Sequence, residues 1–237
     1  MDIMLALDES TSIVDPSAGG LENWEKHMLG FATDIAKSFE IGPNDTQIAL
    51  LKFSTSFEIE FYLDTYDNQT AVIQAIQELD INGGETDIAA ALRVTREVLF
   101  SPSHGARSGV SKVLIVVTDG RSGRGNAILE ASTTKEAGIE IFVVGVTSNV
   151  DGYELQQIAS GPTNSHVYFV ETFDQLSNIV QPLVGLNETC STMPISARTT
   201  STTTTRPTAA ATNTFSTPST TSSPGEFPQL SAYLEIK

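Results

Sequence analysis

The chain has 237 residues and a formal net charge of −16, because 29 acidic residues outnumber 13 basic ones. A nucleic-acid backbone or an anionic membrane surface would repel this charge, which excludes both as partners. The sequence has no apolar run of about 18 residues, so it predicts no membrane insertion. Its single cysteine excludes an internal disulfide scaffold and a zinc–cysteine site.

The composition divides the chain near residue 188. More than half of residues 189–224 are Ser or Thr, with several prolines among them. Such a segment has little apolar surface to bury and cannot offset the entropy lost on folding. We therefore predict a folded domain over residues 1–188 and a disordered, mucin-like tail over residues 189–237.

Short apolar segments mark the predicted strands of the folded part. Segments of this length without polar alternation are typical of strands buried on both faces of a parallel sheet. They are residues 3–7, 47–53, 113–117, 139–146 and 167–170. Residues 57–63 differ, because apolar residues alternate there with polar ones such as Glu58 and Glu60, which predicts an antiparallel edge strand with one wet face.

Helical patterns separate the strands. Apolar residues recur there every three or four positions, and Gly138 stands where a helix would end. The predicted helices cover residues 21–39, 72–79, 88–99, 127–137, 155–159 and 173–184. The alternation predicts an α/β fold, a three-layer, doubly wound and mostly parallel six-stranded sheet with helices on both faces. Ligands bind such sheets at the carboxyl ends of the strands, where the strand order reverses.

Oxygen-bearing side chains follow the predicted strand ends. Asp8, Ser10 and Ser12 come after the first strand, Thr86 precedes the third helix, and Asp119 follows the strand at 113–117. Parallel strands would bring these loops to one edge of the sheet. Two carboxylates and three hydroxyls, with no histidine or thiolate, favour Mg²⁺, Mn²⁺ or Ca²⁺ over Zn²⁺.

This pattern resembles the metal-ion-dependent adhesion site of the von Willebrand factor type A family. The family motif is Asp-x-Ser-x-Ser, a distant Thr and a distant Asp, and the five residues named above fill all five positions. The resemblance covers about residues 2–187, and the residues that follow Asp119 look like the matrilin and collagen-associated branch. It implies the Rossmann-like fold of that family.

The resemblance also implies how the site works. Ser10 and Ser12 would bind the metal directly, Thr86 directly or through water, and Asp8 and Asp119 largely through bridging waters. The ion then keeps much of its charge and can accept a carboxylate from a partner. The implied function is a non-enzymatic adhesion or matrix-assembly module, with matrix proteins such as collagens as partners and no small-molecule substrate.

Simpler and rival interpretations remain open from the residues alone. Asp8 or Asp119 taken singly could be a turn or helix cap, and Asp87 is expected to cap the third helix. Glu9 and Glu85 are expected to be solvated. A Mg²⁺-dependent phosphoryl-transfer or hydrolase enzyme would need one of these glutamates as a base, and the absence of His and Lys from the three loops disfavours it. A structural spacer with an unused metal site is a third alternative.

Several features favour an extracellular, secreted protein. Asn44, Asn68 and Asn187 begin Asn-x-Thr glycosylation motifs, and the Ser/Thr/Pro-rich tail is typical of an O-glycosylated stalk. The family resemblance implies that Cys190 pairs with a cysteine that would lie upstream of Met1. We therefore expect an N-terminally truncated fragment that lacks its signal peptide. The alternative is an intracellular domain with a free thiol.

Overall fold

Six strands form one sheet in the order β3-β2-β1-β4-β5-β6 in the computed structural model, which describes residues 1–185. All neighbouring strands run parallel except β3, which pairs antiparallel with β2 at one edge. The strands are β1 Asp2–Asp8, β2 Gln47–Phe53, β3 Phe57–Phe61, β4 Lys112–Thr118, β5 Ile139–Val146 and β6 Val167–Val170. The doubly wound sheet predicted from the sequence is confirmed.

Helices cover both faces of the sheet. They are α1 Leu29–Lys37, α2 Gln69–Gln77, α3 Ile88–Val94, α4 Ala127–Glu136, α5 Gly152–Ile158, α6 Thr163–His166 and α7 Val180–Gly185. π-helical turns at Asn23–Met28 and Thr95–Leu99 adjoin α1 and α3, so the long predicted helices change their hydrogen-bond pattern part-way. Gly138 adopts φ 79° directly after α4, as its predicted helix-ending role requires.

The sheet separates two apolar layers, and β1 contributes to both. Its residues Ile3, Leu5 and Leu7 pack with α1, α2 and α7 on one face, whereas Met4 and Ala6 pack with α3, α4 and α5 on the other. Successive strand side chains point to opposite faces, so a strand covered on both sides must be apolar throughout. This explains the uninterrupted apolar run and fixes the carboxyl end of β1 in a rigid position.

The edge strand β3 departs from the sequence prediction. It ends at Phe61 rather than at residue 63, and Phe57 is 46% exposed although the alternation placed it on the buried face. The register between β2 and β3 shifts at Leu50 and Leu51, which disrupts a strict two-residue period. Glu60 is more buried than a wet face would allow, because its carboxylate contacts the ammonium of Lys52.

The strand order places the switch point between β1 and β4. The chain winds from β1 outward to β2 and β3, and then returns to the other side of β1 with β4. The loops after β1 and β4 therefore diverge to opposite faces and leave a crevice at their carboxyl ends. Among residues 1–185, no helix is long and apolar enough to cross a membrane. Asn187, Cys190 and the tail lie outside the described residues.

Candidate metal centre

Asp8 is the last residue of β1 and lies at the centre of the candidate site. It is fully buried, and its Oδ1 accepts a hydrogen bond of 2.8 Å from the backbone N–H of Ser10. This contact folds the chain back directly after the strand, into the 3₁₀ turn Thr11–Val14. The Asp-x-Ser spacing therefore has a local structural cause, because the carboxylate fixes the loop that presents the two serines.

The other predicted ligands converge on the same crevice. The hydroxyl oxygens of Ser10 and Ser12 lie 3.0 Å apart, and Ser12 donates a 2.7 Å hydrogen bond to Oδ1 of Asp119. From the loop before α3, Oγ1 of Thr86 donates to Oδ2 of Asp8 across 3.5 Å. Three chain segments that are distant in sequence thus place all five predicted side chains in one hydrogen-bonded group.

Reciprocal contacts hold the loop after β1 and the loop before α3 together. The N–H of Thr11 donates to the carbonyl of Gly84, and the N–H of Gly84 donates to Oγ1 of Thr11, both at 2.9 Å. Gly84 has φ 125°, and a Cβ there would lie 2.8 Å from Oγ1 of Thr55. Glycine is therefore required at this close approach, since a side chain would push the segment away from the turn between β2 and β3.

Thr118 was missed by the sequence analysis although it contacts the central carboxylate. Its buried hydroxyl donates a 2.6 Å hydrogen bond to Oδ2 of Asp8. It also accepts from the N–H of Gly120 at 3.2 Å, which shapes the turn that presents Asp119. The only available signal was its place beside Asp119 at the end of an apolar strand. That signal does not distinguish a functional hydroxyl from a simple strand end.

Burial raises the pKa of both site carboxyl groups. The pKa of Asp8 is raised to about 7, chiefly by desolvation, while hydrogen bonds from Thr118 and Ser10 oppose the shift and the charge of Asp119 adds to it. Desolvation likewise raises the pKa of Asp119. Within residues 1–185, neither carboxylate has a Lys, Arg or His nitrogen within 4.0 Å. The pair therefore has no protein cation to compensate its charge.

The donor set fits a hard divalent cation. Neighbouring oxygens around Mg²⁺ lie roughly 2.9 Å apart when each metal–oxygen bond is 2.0–2.1 Å, and the Ser10 and Ser12 hydroxyls are 3.0 Å apart. A Cβ at Gly120 would lie 2.7 Å from Oγ1 of Thr86, so glycine keeps this space open. In the described part of the chain, no three His, Cys, Asp or Glu side chains form a metal cluster. A site here must rely on hydroxyls.

The simpler interpretations of the neighbouring acidic residues have mixed outcomes. Asp87 caps α3 as predicted, since its Oδ1 accepts from the N–H of Ala90 at 2.9 Å. Glu85 is largely exposed and forms a surface ion pair with Arg124. The expectation that Glu9 is solvated is wrong. Glu9 is 2% exposed, and its carboxylate accepts a hydrogen bond from the N–H of Asn82 and lies 3.6 Å from Nζ of Lys52.

Comparison with known families agrees with this geometry. A family model described as the von Willebrand factor type A domain matches residues 2–182. The chain belongs to the von Willebrand factor type A family. This type A domain is 32% identical over 182 residues to the collagen alpha-1(XII) chain of Notophthalmus viridescens, a match that covers 77% of this chain and 19% of that protein.

Other relatives of the type A domain are also matrix proteins by name. Matrilin-1 of Gallus gallus is 32% identical over 183 residues, which cover 75% of this chain and 35% of that protein. The type A domain thus spans less than two thirds of either curated relative. The solved structure of proximal thread matrix protein 1 from the mussel byssus, with a zinc-occupied metal-ion-dependent adhesion motif, superposes with a TM-score of 0.71 at 30% identity. That match covers 78% of this chain and 45% of the mussel protein.

Proposed function

We propose that this type A domain is an extracellular, non-enzymatic binding module that docks an acidic residue of a matrix protein through a divalent cation. The cation, Mg²⁺ or alternatively Mn²⁺ or Ca²⁺, would be held by Asp8, Ser10, Ser12, Thr86 and Asp119. The observation that supports this most is that these five side chains from three loops meet in one largely buried, hydrogen-bonded group, to which no cationic side chain within residues 1–185 is paired. We further propose that the domain ends at residue 188 and that residues 189–237 form a mucin-like stalk.

The chemistry of the five side chains favours docking. Three of the five donors are neutral hydroxyls, and Asp8 and Asp119 already accept hydrogen bonds from Thr118 and Ser12. A bound cation would therefore keep much of its positive charge and supply a Lewis-acidic position for an outside carboxylate. The apolar strands hold the loops in place before binding, so little ordering entropy is lost when a partner docks.

The distribution of exposed apolar side chains supports a protein partner at this edge of the sheet. In the described residues, every large hydrophobic side chain that is exposed lies at the carboxyl edge of the parallel strands, in the first turn of a helix or near a strand end. These residues are Leu21, Phe57, Ile128, Leu129, Tyr153 and Phe169. Exposed apolar surface gathered on one side of a molecule is typical of an interaction face.

Surface capture on immobilised collagens and other matrix proteins tests the proposal. We expect binding in Mg²⁺ that disappears in EDTA and in an Asp119→Ala variant. Asp87→Asn serves as the matched control, because asparagine caps α3 as well as aspartate does and Asp87 is outside the proposed ligand set. Capture that is unchanged by EDTA would contradict metal docking, and a domain that shows no calorimetric response to Mg²⁺ or Mn²⁺ would contradict the metal site itself.

A further inference from the structure

A buried lysine lies beside the candidate metal site. Lys52 is near the carboxyl end of β2, and its side chain is 1% exposed. Its Nζ contacts four carboxylates, at 2.8 Å from Asp80, 2.9 Å from Glu60, 3.2 Å from Glu58 and 3.6 Å from Glu9. A buried ammonium is costly unless it is paired and hydrogen-bonded, so this arrangement must be closely maintained in the folded state.

Glu9 connects this lysine to the metal loops. It stands between Asp8 and Ser10 in the metal motif, and its backbone N–H donates to the carbonyl of Phe53 at 2.8 Å. Its Oε2, which faces Lys52, also accepts a 3.0 Å hydrogen bond from the N–H of Asn82. The carboxylate of Glu9 therefore joins the loop after β1 to the segment that leads to Thr86.

Lys52 holds the same segment at a second point. Its Nζ donates to the backbone carbonyl of Asp80 at 3.1 Å as well as to the Asp80 carboxylate. Burial alone would lower the pKa of Lys52, but the contacts with Asp80 and Glu60 raise it above its usual value, so the ammonium stays charged. Residues 80–87 contain no helix or strand, so loop contacts fix the segment that carries Thr86. Backbone hydrogen bonds hold its later part at Gly84 and Thr86, whereas the contacts of Lys52 and Glu9 hold its first part at Asp80 and Asn82.

We propose that Lys52 and Glu9 are positioning residues for the metal site, which hold the 80–87 segment so that Thr86 faces Asp8. This inference rests on the proposed metal-dependent function. Neither residue is a metal ligand. Their role is to keep one proposed ligand in place before the cation arrives, so that binding loses less ordering entropy.

Two variants of Glu9 test the proposal at equal charge. Glu9→Gln and Glu9→Ala both remove one negative charge near the metal site, so their electrostatic effects on a cation are matched. Only glutamine keeps an acceptor for the N–H of Asn82. We expect Glu9→Ala to bind Mn²⁺ about five-fold more weakly than Glu9→Gln in calorimetry on the full chain, which corresponds to the loss of one hydrogen bond. Equal dissociation constants for the two variants would overturn the proposal.

A double variant tests Lys52. Lys52→Met combined with Glu9→Gln removes one charge of each sign and keeps an apolar stem in place of the lysine chain. We expect it to bind Mn²⁺ at least five-fold more weakly than wild type, which has the same net charge, because the Asp80 carbonyl loses its donor. If this double variant fails to fold, the Glu9 pair still decides the proposal, since Lys52 keeps three other carboxylates in those proteins.

A second buried ion pair separates positioning from stability. Asp2 is fully buried at the opposite end of β1, six residues and roughly 20 Å from Asp8, and it pairs with Arg107 at 2.7 Å. Asp2→Asn combined with Arg107→Met should lower the melting temperature but leave the Mn²⁺ affinity within two-fold of wild type. Equal weakening in this control would refute a positioning role for Lys52. Absence of Mn²⁺ binding by the wild-type chain would instead refute the proposed metal site, and this inference with it.

Discussion

The buried carboxylate of Asp8 predicts that the metal-free domain becomes less stable as the pH rises. Its pKa is about 7 in the folded protein, against an ordinary value of 3.8. Between these values the folded chain keeps a proton that the unfolded chain has released. This contribution to stability is therefore largest at low pH, falls as the pH rises from about 4 to 7, and is constant above that range.

Asp8→Asn removes this pH-dependent term. Asparagine keeps the shape of the side chain and an acceptor for the N–H of Ser10, but it carries no charge to desolvate. A shift of about three pKa units corresponds to about 4 kcal/mol. This shift already includes the opposing hydrogen bonds from Thr118 and Ser10. We therefore expect the metal-free variant to be about 4 kcal/mol more stable than wild type at pH 8, with little or no advantage at pH 4.

Urea unfolding in EDTA at pH 4 and pH 8 measures this difference. Saturating Mg²⁺ at pH 8 should stabilise the wild type and leave Asp8→Asn unchanged, because the variant lacks the central carboxylate. Asp87→Asn is the control, since it keeps the buried carboxylate of Asp8 with all its contacts and should retain the wild-type pH dependence. If the stability difference between wild type and Asp8→Asn is the same at both pH values, the desolvation argument is refuted.

Four further outcomes are expected. Gly120→Ala should reduce Mg²⁺ affinity in calorimetry by about ten-fold, because the added Cβ would lie 2.7 Å from Oγ1 of Thr86. Unchanged affinity would show that the open space beside Thr86 is not needed for binding. Mg²⁺ should raise the melting temperature more at pH 8 than at pH 5, since burial raises the pKa of both site carboxyl groups and protons then compete with the metal at the lower pH. Scanning fluorimetry measures the two shifts, and an equal rise at both pH values would contradict this prediction. Tyr153→Ser should weaken capture of a matrix partner and leave Mg²⁺ affinity unchanged, because the Tyr153 side chain is 69% exposed at the edge of the sheet that holds the proposed metal site. Gln156→Ser, at an exposed position on the same helix, is the control. Equal losses of capture in the two variants would argue against a specific contact of Tyr153. Asn68→Gln should remove one N-glycan from protein expressed through a secretory pathway and lower its stability by about 1 kcal/mol, because Oδ1 of Asn68 caps α2 and glutamine caps poorly. Mass spectrometry and urea unfolding check the two effects separately.

The three predicted glycosylation motifs differ in how exposed the structure shows them to be. Asn44 is exposed in a tight turn before β2, and its motif partner Thr46 is buried. Asn68 and its partner Thr70 are both exposed at the start of α2. Asn187 lies outside the described residues. Occupancy of these sites stays a prediction, which mass spectrometry of the chain expressed through a secretory pathway can test.

Local patterns were sufficient to predict most of the sheet. Strands β2 and β5 match their predicted bounds, because each is covered on both faces and its apolar run ends where cover ends. Strand β6 also matches its predicted bounds, although it lies at the edge of the sheet and its Phe169 is 48% exposed. The edge strand β3 was less predictable, since only one neighbour constrains it and a register shift disrupts its alternation. The short helix α6 was missed because four residues carry no measurable period.

The sequence by itself determined the donor chemistry of the candidate site. Oxygen-bearing residues at the ends of apolar runs meet at one edge of a parallel sheet, and the resemblance to the type A motif selected the five among them. Only the tertiary structure decided which acidic side chains are paired with a basic one. Glu9 and Asn82 are 73 positions apart in the sequence. They meet because β1 and β2 are neighbours, and Lys52 of β2 contacts both Glu9 and the segment that contains Asn82. Side-chain chemistry belongs to each residue, whereas burial and pairing depend on what the rest of the chain places around it.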